Sequence, residues 1–140
     1  MTSLVCDASI LFKLLVPEEN SDNARAIAHS HTFVVPEIAF AEVGNALWAR
    51  VRKGEFSIEV GQALADRLQV GAIEARPVRP LLSRALWLAS EIGHPIYDCF
   101  YLALAESLDV PLLTADRRFM NALRRVTFQT AEVKALTDFR

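Results

Sequence analysis

Short apolar runs alternate with segments of helical period along the whole chain. Residues 3–6 read as a first strand, and 8–15 as a helix stopped by Pro17. A second helix is predicted over 21–31, then a strand over 33–35 ended by Pro36. Residues 37–53 carry a long helical pattern with Gly54 at its end, where a left-handed cap is expected. Another helix covers 57–70, with Ser57 as its N-cap and Glu59 in its first turn. A strand follows over 73–77. Helices over 81–92 and 97–108 are separated by Gly93-His94-Pro95. The pattern closes with a strand over 110–114, a helix over 117–124 and a last strand over 126–129. Neither a repeat nor a low-complexity linker interrupts it, so the expectation is one domain over residues 1–140. Such alternation predicts an α/β fold, a three-layer sandwich with a parallel central sheet and helices on both faces.

In sheets of this kind, ligands bind beyond the carboxyl ends of the strands. Asp7 ends the apolar run Leu4-Val5-Cys6, and Asp116 closely follows Leu112-Leu113-Thr114. The helix over 97–108 is apolar nearly all round, which places it deep, with Asp98 at its opening. On the helix over 37–53, at about 100° per residue, Glu42, Asn45, Ala49, Arg52 and Lys53 share one strip. Ala39, Phe40, Val43, Leu47, Trp48 and Val51 fill most of the rest. That helix is therefore predicted to be packed on most sides, with Glu42 and Asn45 looking out together.

Each of the four acids has a structural explanation. Asp7 could cap the helix after the first strand, although Ser9 could do so too. Asp98 could cap its own helix, Asp116 could make an Asx-turn before Arg117, and Glu42 could be a surface glutamate. Their conjunction says more. Carboxylates are costly in apolar surroundings unless something compensates the charge. A cation held by carboxylate oxygens is most often Mg²⁺ or Mn²⁺, catalytic or structural.

Composition narrows the classes. No apolar stretch approaches the roughly 20 residues of a membrane span, and no leader pattern opens the chain. Two cysteines, Cys6 and Cys99, suit a reduced cytoplasm, and with His29, His31 and His94 they form no zinc spacing. A net charge of −2 argues against nucleic-acid binding by bulk electrostatics, but not against an enzyme that meets phosphates through a metal ion. Hydrophobic residues reach 52%, which fits a well-filled core or an apolar surface kept for a partner.

Four segments carry a family resemblance. They are Leu4-Val5-Cys6-Asp7-Ala8-Ser9, Pro36-Glu37-Ile38-Ala39-Phe40-Ala41-Glu42-Val43-Gly44-Asn45-Ala46-Leu47, Pro95-Ile96-Tyr97-Asp98-Cys99-Phe100-Tyr101-Leu102-Ala103-Leu104-Ala105 and Leu112-Leu113-Thr114-Ala115-Asp116-Arg117-Arg118-Phe119. In order and spacing they resemble the four motifs of the PIN-domain ribonucleases. The small size most resembles the VapC-type toxins of prokaryotic toxin–antitoxin pairs. The resemblance implies Mg²⁺ or Mn²⁺ at Asp7, Glu42, Asp98 and Asp116, metal-dependent cleavage of RNA, a cognate antitoxin partner and a homodimer. It places Thr114 and Ser9 as hydroxyls supporting the acids, and Asn45 at a less regular polar position. Asp7 and Asp98 are expected to touch the metal directly. Glu42 and Asp116 would ligate through water or orient the nucleophile.

Arg117 and Arg118 follow the last acid and are read as a phosphate-binding rim, with ordinary solvated charge as the alternative. The cysteines are expected to be buried hydrophobes, His94 a loop residue, and Trp48 and Trp87 core or interface anchors. Two other functions compete. A phosphatase also places aspartates at strand ends, but Asp7-Ala8-Ser9 lacks an Asp-x-Asp pair. A catalytically silent PIN-like RNA-binding or scaffold module would keep the fold without the chemistry.

Overall fold

β1 (Thr2–Cys6) forms the middle of a five-stranded sheet ordered β3-β2-β1-β4-β5, in a computed structural model that describes residues 2–139. Every strand pairing is parallel. Leu4, Val5 and Cys6 are all buried, as are Phe33, Val34 and Val35 in β2 (His31–Pro36). Successive strand residues point to opposite faces, so unbroken burial means that both faces are covered. Among the described residues, no helix is long and apolar enough to cross a membrane.

From β1 the chain winds outward in two directions. It passes through α1 (Ala8–Leu15) and α2 (Ser21–Ser30) to β2, then through α3 (Ile38–Arg52) and α4 (Ile58–Gln69) to β3 (Ile73–Arg76). It returns by a short 3₁₀ turn, α5 (Leu82–Ile92) and α6 (Ile96–Leu108) to β4 (Leu112–Thr114), on the other side of β1. α7 (Arg117–Leu123) leads towards β5 (Val133–Ala135) at the far edge. The strand order therefore reverses between β1 and β4, the place where open parallel sheets bind ligands.

Local signals explain the helix boundaries. Asp7 caps α1, Ser57 caps α4 through its bond from the Val60 N–H, and Asp116 caps α7. Gly93 ends α5 at φ 70°, a left-handed conformation that suits glycine. α5 buries Ala85, Leu88 and Ile92 on one stripe and leaves Leu82, Leu86 and Trp87 outside. α6 buries every residue from Cys99 to Ala105, as its uniformly apolar sequence predicts. Arg84 of α5 grips Glu106 of α6 with a two-point contact of 2.7 and 2.9 Å, and Thr130 donates to the same carboxylate at 2.6 Å.

The structure corrects three expectations. The last strand is Val133–Ala135, not 126–129. Val126 and Phe128 do pack against the core, and Phe128 meets Trp87 edge-on at 5.0 Å. Alternating burial thus arises there in a loop, while the β4 ladder is completed by the later segment, Leu112 opposite Val133. α3 buries only Ala39, Val43 and Leu47, so it is not packed on most sides, and Trp48 is 55% exposed. Asp98 does not cap its helix: Pro95 holds the cap position and Asp98 is the third helical residue.

Leu102 is completely buried in α6, whereas Leu86 is 61% exposed. Leu102→Ala is expected to cost about 2–5 kcal/mol of unfolding free energy. Leu86→Ala should stay within roughly 0.5 kcal/mol of the original. Denaturant unfolding of both variants checks the assignment of core and surface.

Candidate active site

The carboxyl ends of β1 and β4 lie side by side, with Cys6 opposite Leu113 and the Asp7 N–H donating to the Leu113 carbonyl at 3.2 Å. This pairing brings Asp7 next to Thr114, a neighbour 107 residues away in sequence. The Thr114 hydroxyl donates to one Asp7 oxygen, and the Ser9 hydroxyl donates to the other at 2.5 Å. Thr114 Oγ1 also accepts from the Asp116 N–H at 2.9 Å, and Ser9 Oγ accepts from the Ala115 N–H at 3.2 Å. Both hydroxyls therefore stitch the two strand ends together around one carboxylate. Asp7 is almost fully buried, and Thr114 is completely buried.

Burial pushes the Asp7 carboxyl up to about 6, and the nearby Asp98 charge adds to the rise; the hydrogen bonds from Ser9, Thr114 and Ile10 oppose it. Burial and the Asp98 charge likewise raise Glu42, against a hydrogen bond from Tyr101. Asp98 is thus the electrostatic neighbour of both other acids, as expected for carboxylates gathered at one place. Its own Oδ2 meets His94 Nε2 at 2.5 Å, and the His94 ring lies against Phe119 of α7 at 5.0 Å.

Asp116 is arranged differently. Its Oδ1 accepts from the Arg118 and Phe119 N–H groups at 2.9 and 3.3 Å, so the Asx-turn reading of this residue holds. It joins the other acids through its backbone and Thr114. Arg117 lies beside it, lining a cleft of about 490 Å³ with Thr114, Asp116 and Arg124. Arg117 and Arg118 are exposed and form no ion pair among the described residues. Asn45 is exposed, and no hydrogen bond among the described residues ties it to the acids.

Among the described residues, no three His, Cys, Asp or Glu side chains stand close enough to enclose an ion as they are placed. The donor set nevertheless fits a hard divalent cation in kind. Asp7, Glu42 and Asp98 offer only oxygen, and their mutual repulsion is relieved by positive charge. Among the described residues Asp98 Oδ1 and Glu42 Oε2 accept no hydrogen bond, which leaves each an oxygen to offer.

One neighbour escaped sequence reasoning. Tyr101 is 1% exposed and donates its hydroxyl to Glu42 Oε1 at 2.5 Å. Burial and the Glu42 carboxylate push its phenol far above the ordinary range, with Asp7 contributing. Its spacing of three from Asp98 on a helix is the signal that placed it on the same face. Cys6 and Cys99 are buried, and desolvation drives Cys6 well up and Cys99 to about 12, so neither is a thiolate nucleophile.

A profile of the PIN domain matches residues 4–125. The chain is 35% identical over 118 residues to ribonuclease VapC3 of Pyrobaculum aerophilum, across 82% of this chain and 90% of that protein. The crystal structure of PAE2754 from Pyrobaculum aerophilum is similar with a TM-score of 0.72 at 23% identity, over 97% of this chain and 85% of that one. Mycobacterium tuberculosis VapC20, described as a sarcin–ricin loop cleaving toxin, is similar with a TM-score of 0.65 at 15% identity, over 85% of this chain and 94% of that one.

The raised Asp7 carboxyl has a signed consequence. Its folded-state value, about 6 against an ordinary 3.8, means that the folded protein binds this proton more tightly than the unfolded chain. The stabilising contribution is complete below about pH 4 and is lost as pH rises through about 6. Asp7→Asn keeps a capping oxygen and removes the charge. In chelator, the variant should match the original near pH 4 and exceed it by up to about 3 kcal/mol at pH 7. Equal pH dependence in unfolding experiments on the two proteins would refute the assignment.

Proposed function

Since the chain belongs to the VapC-type branch of the PIN-domain family, we propose that it is a Mg²⁺- or Mn²⁺-dependent endoribonuclease, the toxin of a toxin–antitoxin pair held inactive by a cognate antitoxin. The observation that carries this reading is the grouping of Asp7, Glu42 and Asp98 beyond the carboxyl ends of β1 and β4, with Asp116 joined through Thr114. A ribonuclease relative at 35% identity supports it.

Asp7 and Asp98 would hold the ion most directly, and Glu42 and Asp116 would ligate through water or orient the attacking water. Such an ion offsets phosphate charge and lowers the pKa of bound water. Ser9 and Thr114 fix both oxygens of Asp7, so that carboxylate keeps its direction without reorganising. Arg117, which forms no ion pair among the described residues, offers a cation to a phosphate beside Asp116, and Arg118 is a weaker candidate because it does not line that cleft. Asn45 remains a peripheral candidate, three residues along α3 from Glu42.

The assembly partners suit surfaces that the fold leaves open. Gly44, Leu47, Trp48, Val51, Ile58 and Gly61 line an apolar groove between α3 and α4. Leu82, Leu86 and Trp87 form another apolar face on α5. An antitoxin and a second copy of the chain would remove such area from water. A cytoplasmic site of action goes with this reading.

RNA cleavage by the purified protein should vanish in excess chelator and return with Mg²⁺ or Mn²⁺. Cleavage that persists without free metal would overturn the mechanism, and no cleavage with either ion would favour the silent module. Asp98→Asn should lower cleavage by at least about 100-fold, in line with loss of a ligand or its immediate support. The same change removes the charge that raises Asp7 and Glu42. The metal-free variant should therefore melt at the same temperature as the original or higher, and gain less from added Mg²⁺. A variant that is both active and less stable would mark Asp98 as structural.

A further inference from the structure

Glu42 occupies an unfavourable place for a long acidic side chain. It sits half-buried on α3, and both burial and the Asp98 charge oppose its ionised form there. Its helix neighbours Ala41 and Asn45 are exposed, so a path to solvent lies close at hand. Glutamate also gives up appreciable rotamer freedom when held in one direction. Turning outward would relieve all three costs. Among the described residues, the only hydrogen bond that Glu42 makes with its carboxylate is the one from Tyr101. The Tyr101 ring is enclosed in the core at 1% exposure, 59 residues away in sequence, so its hydroxyl is a fixed donor. No buried side-chain oxygen or nitrogen is left without a partner among the described residues, and Glu42 is the partner for this hydroxyl.

We propose that Tyr101 is a positioning residue for Glu42, whose hydroxyl holds the Glu42 carboxylate inward beside Asp98 and Asp7 instead of letting it turn to solvent. The proposal rests on the metal-site reading above only for its functional consequence. The geometric part stands by itself. Hydrogen bonds to an ionised acceptor are about twice as strong as neutral ones, which suits this duty. Loss of a partner that orients a metal-binding carboxylate usually lowers metal affinity or activity by about 10–100-fold.

Tyr101→Phe removes one oxygen and leaves the buried ring. Its crystal structure in chelator should show the ring in place and Glu42 turned outward. Mn²⁺ affinity, measured by calorimetry, should fall about tenfold, and kcat for RNA cleavage should fall while KM changes little. Glu42→Ala should weaken Mn²⁺ binding, and Tyr101→Phe combined with it should lose nothing more, because the hydroxyl then has no carboxylate left to hold. An unmoved Glu42 in the Tyr101→Phe structure, or additive losses in the double variant, would overturn the proposal. If the original protein binds no Mn²⁺ but Glu42 still swings out in the variant, the positioning role stands and the metal-site reading falls. Should Tyr101→Phe fail to fold, a structure of the original protein with Mn²⁺ decides: Glu42 kept on the Tyr101 hydroxyl supports the role, and Glu42 directed elsewhere overturns it.

Discussion

The parallel pairing of β1 with β4 is the constraint on which the rest depends. It places the ends of two strands, more than 100 residues apart, within one hydrogen bond of each other. Asp7 is then enclosed, and its two oxygens are met by hydroxyls from both sides of the junction. The same contact orients Asp116 through the Thr114 hydroxyl and starts α7 from an acidic cap. Without the β1–β4 register these would be three separate local motifs, a cap, a turn and a buried threonine.

The site is assembled against its own electrostatics. Burial raises both Asp7 and Glu42, and the Asp98 charge adds to the rise. A fold with no use for these acids would gain by replacing them, since unpaired buried charge costs several kcal/mol in real proteins. Instead each carboxylate has a dedicated donor: Ser9 and Thr114 for Asp7, His94 for Asp98, Tyr101 for Glu42. The donors come from β4, α1, α6 and the loop before α6, so orientation of the acids is a property of the tertiary structure as a whole. Their protection also explains why Asp7 serves as helix cap and candidate ligand together. Both roles need a carboxylate with a fixed direction, and they are not alternatives.

Away from the acids, the fold separates a tightly filled interior from open apolar faces. α6 supplies seven consecutive buried residues and anchors the centre of the molecule. α3, α4 and α5 instead bury one stripe each and leave Trp48, Ile58, Val60, Leu86 and Trp87 exposed. The high hydrophobic content of the chain therefore goes partly into a core and partly into surface of the kind that partners cover.

Much of this was legible in the residues. Breakers at Pro17, Pro36 and Gly93, caps at Ser57 and Asp7, and the switch between strand and helix periods gave most elements within a residue or two. The uniform apolarity of α6 told its depth, and the four acids with Ser9 and Thr114 marked the place to look. Periodicity cannot tell a half-buried loop from a strand, because both alternate; hence 126–129 reads as a strand, whereas the sheet is completed by the short Val133–Ala135. Nor could a wheel of residues show which apolar face of α3 meets the core and which meets water, because that depends on what packs opposite. Composition and spacing named the carboxylates, since those are covalent facts of the chain. Only the tertiary structure decided that Asp98 leans on Asp7 and Glu42, that Thr114 reaches Asp7, and that Tyr101 reaches Glu42, since each is a through-space contact between elements that local sequence does not relate.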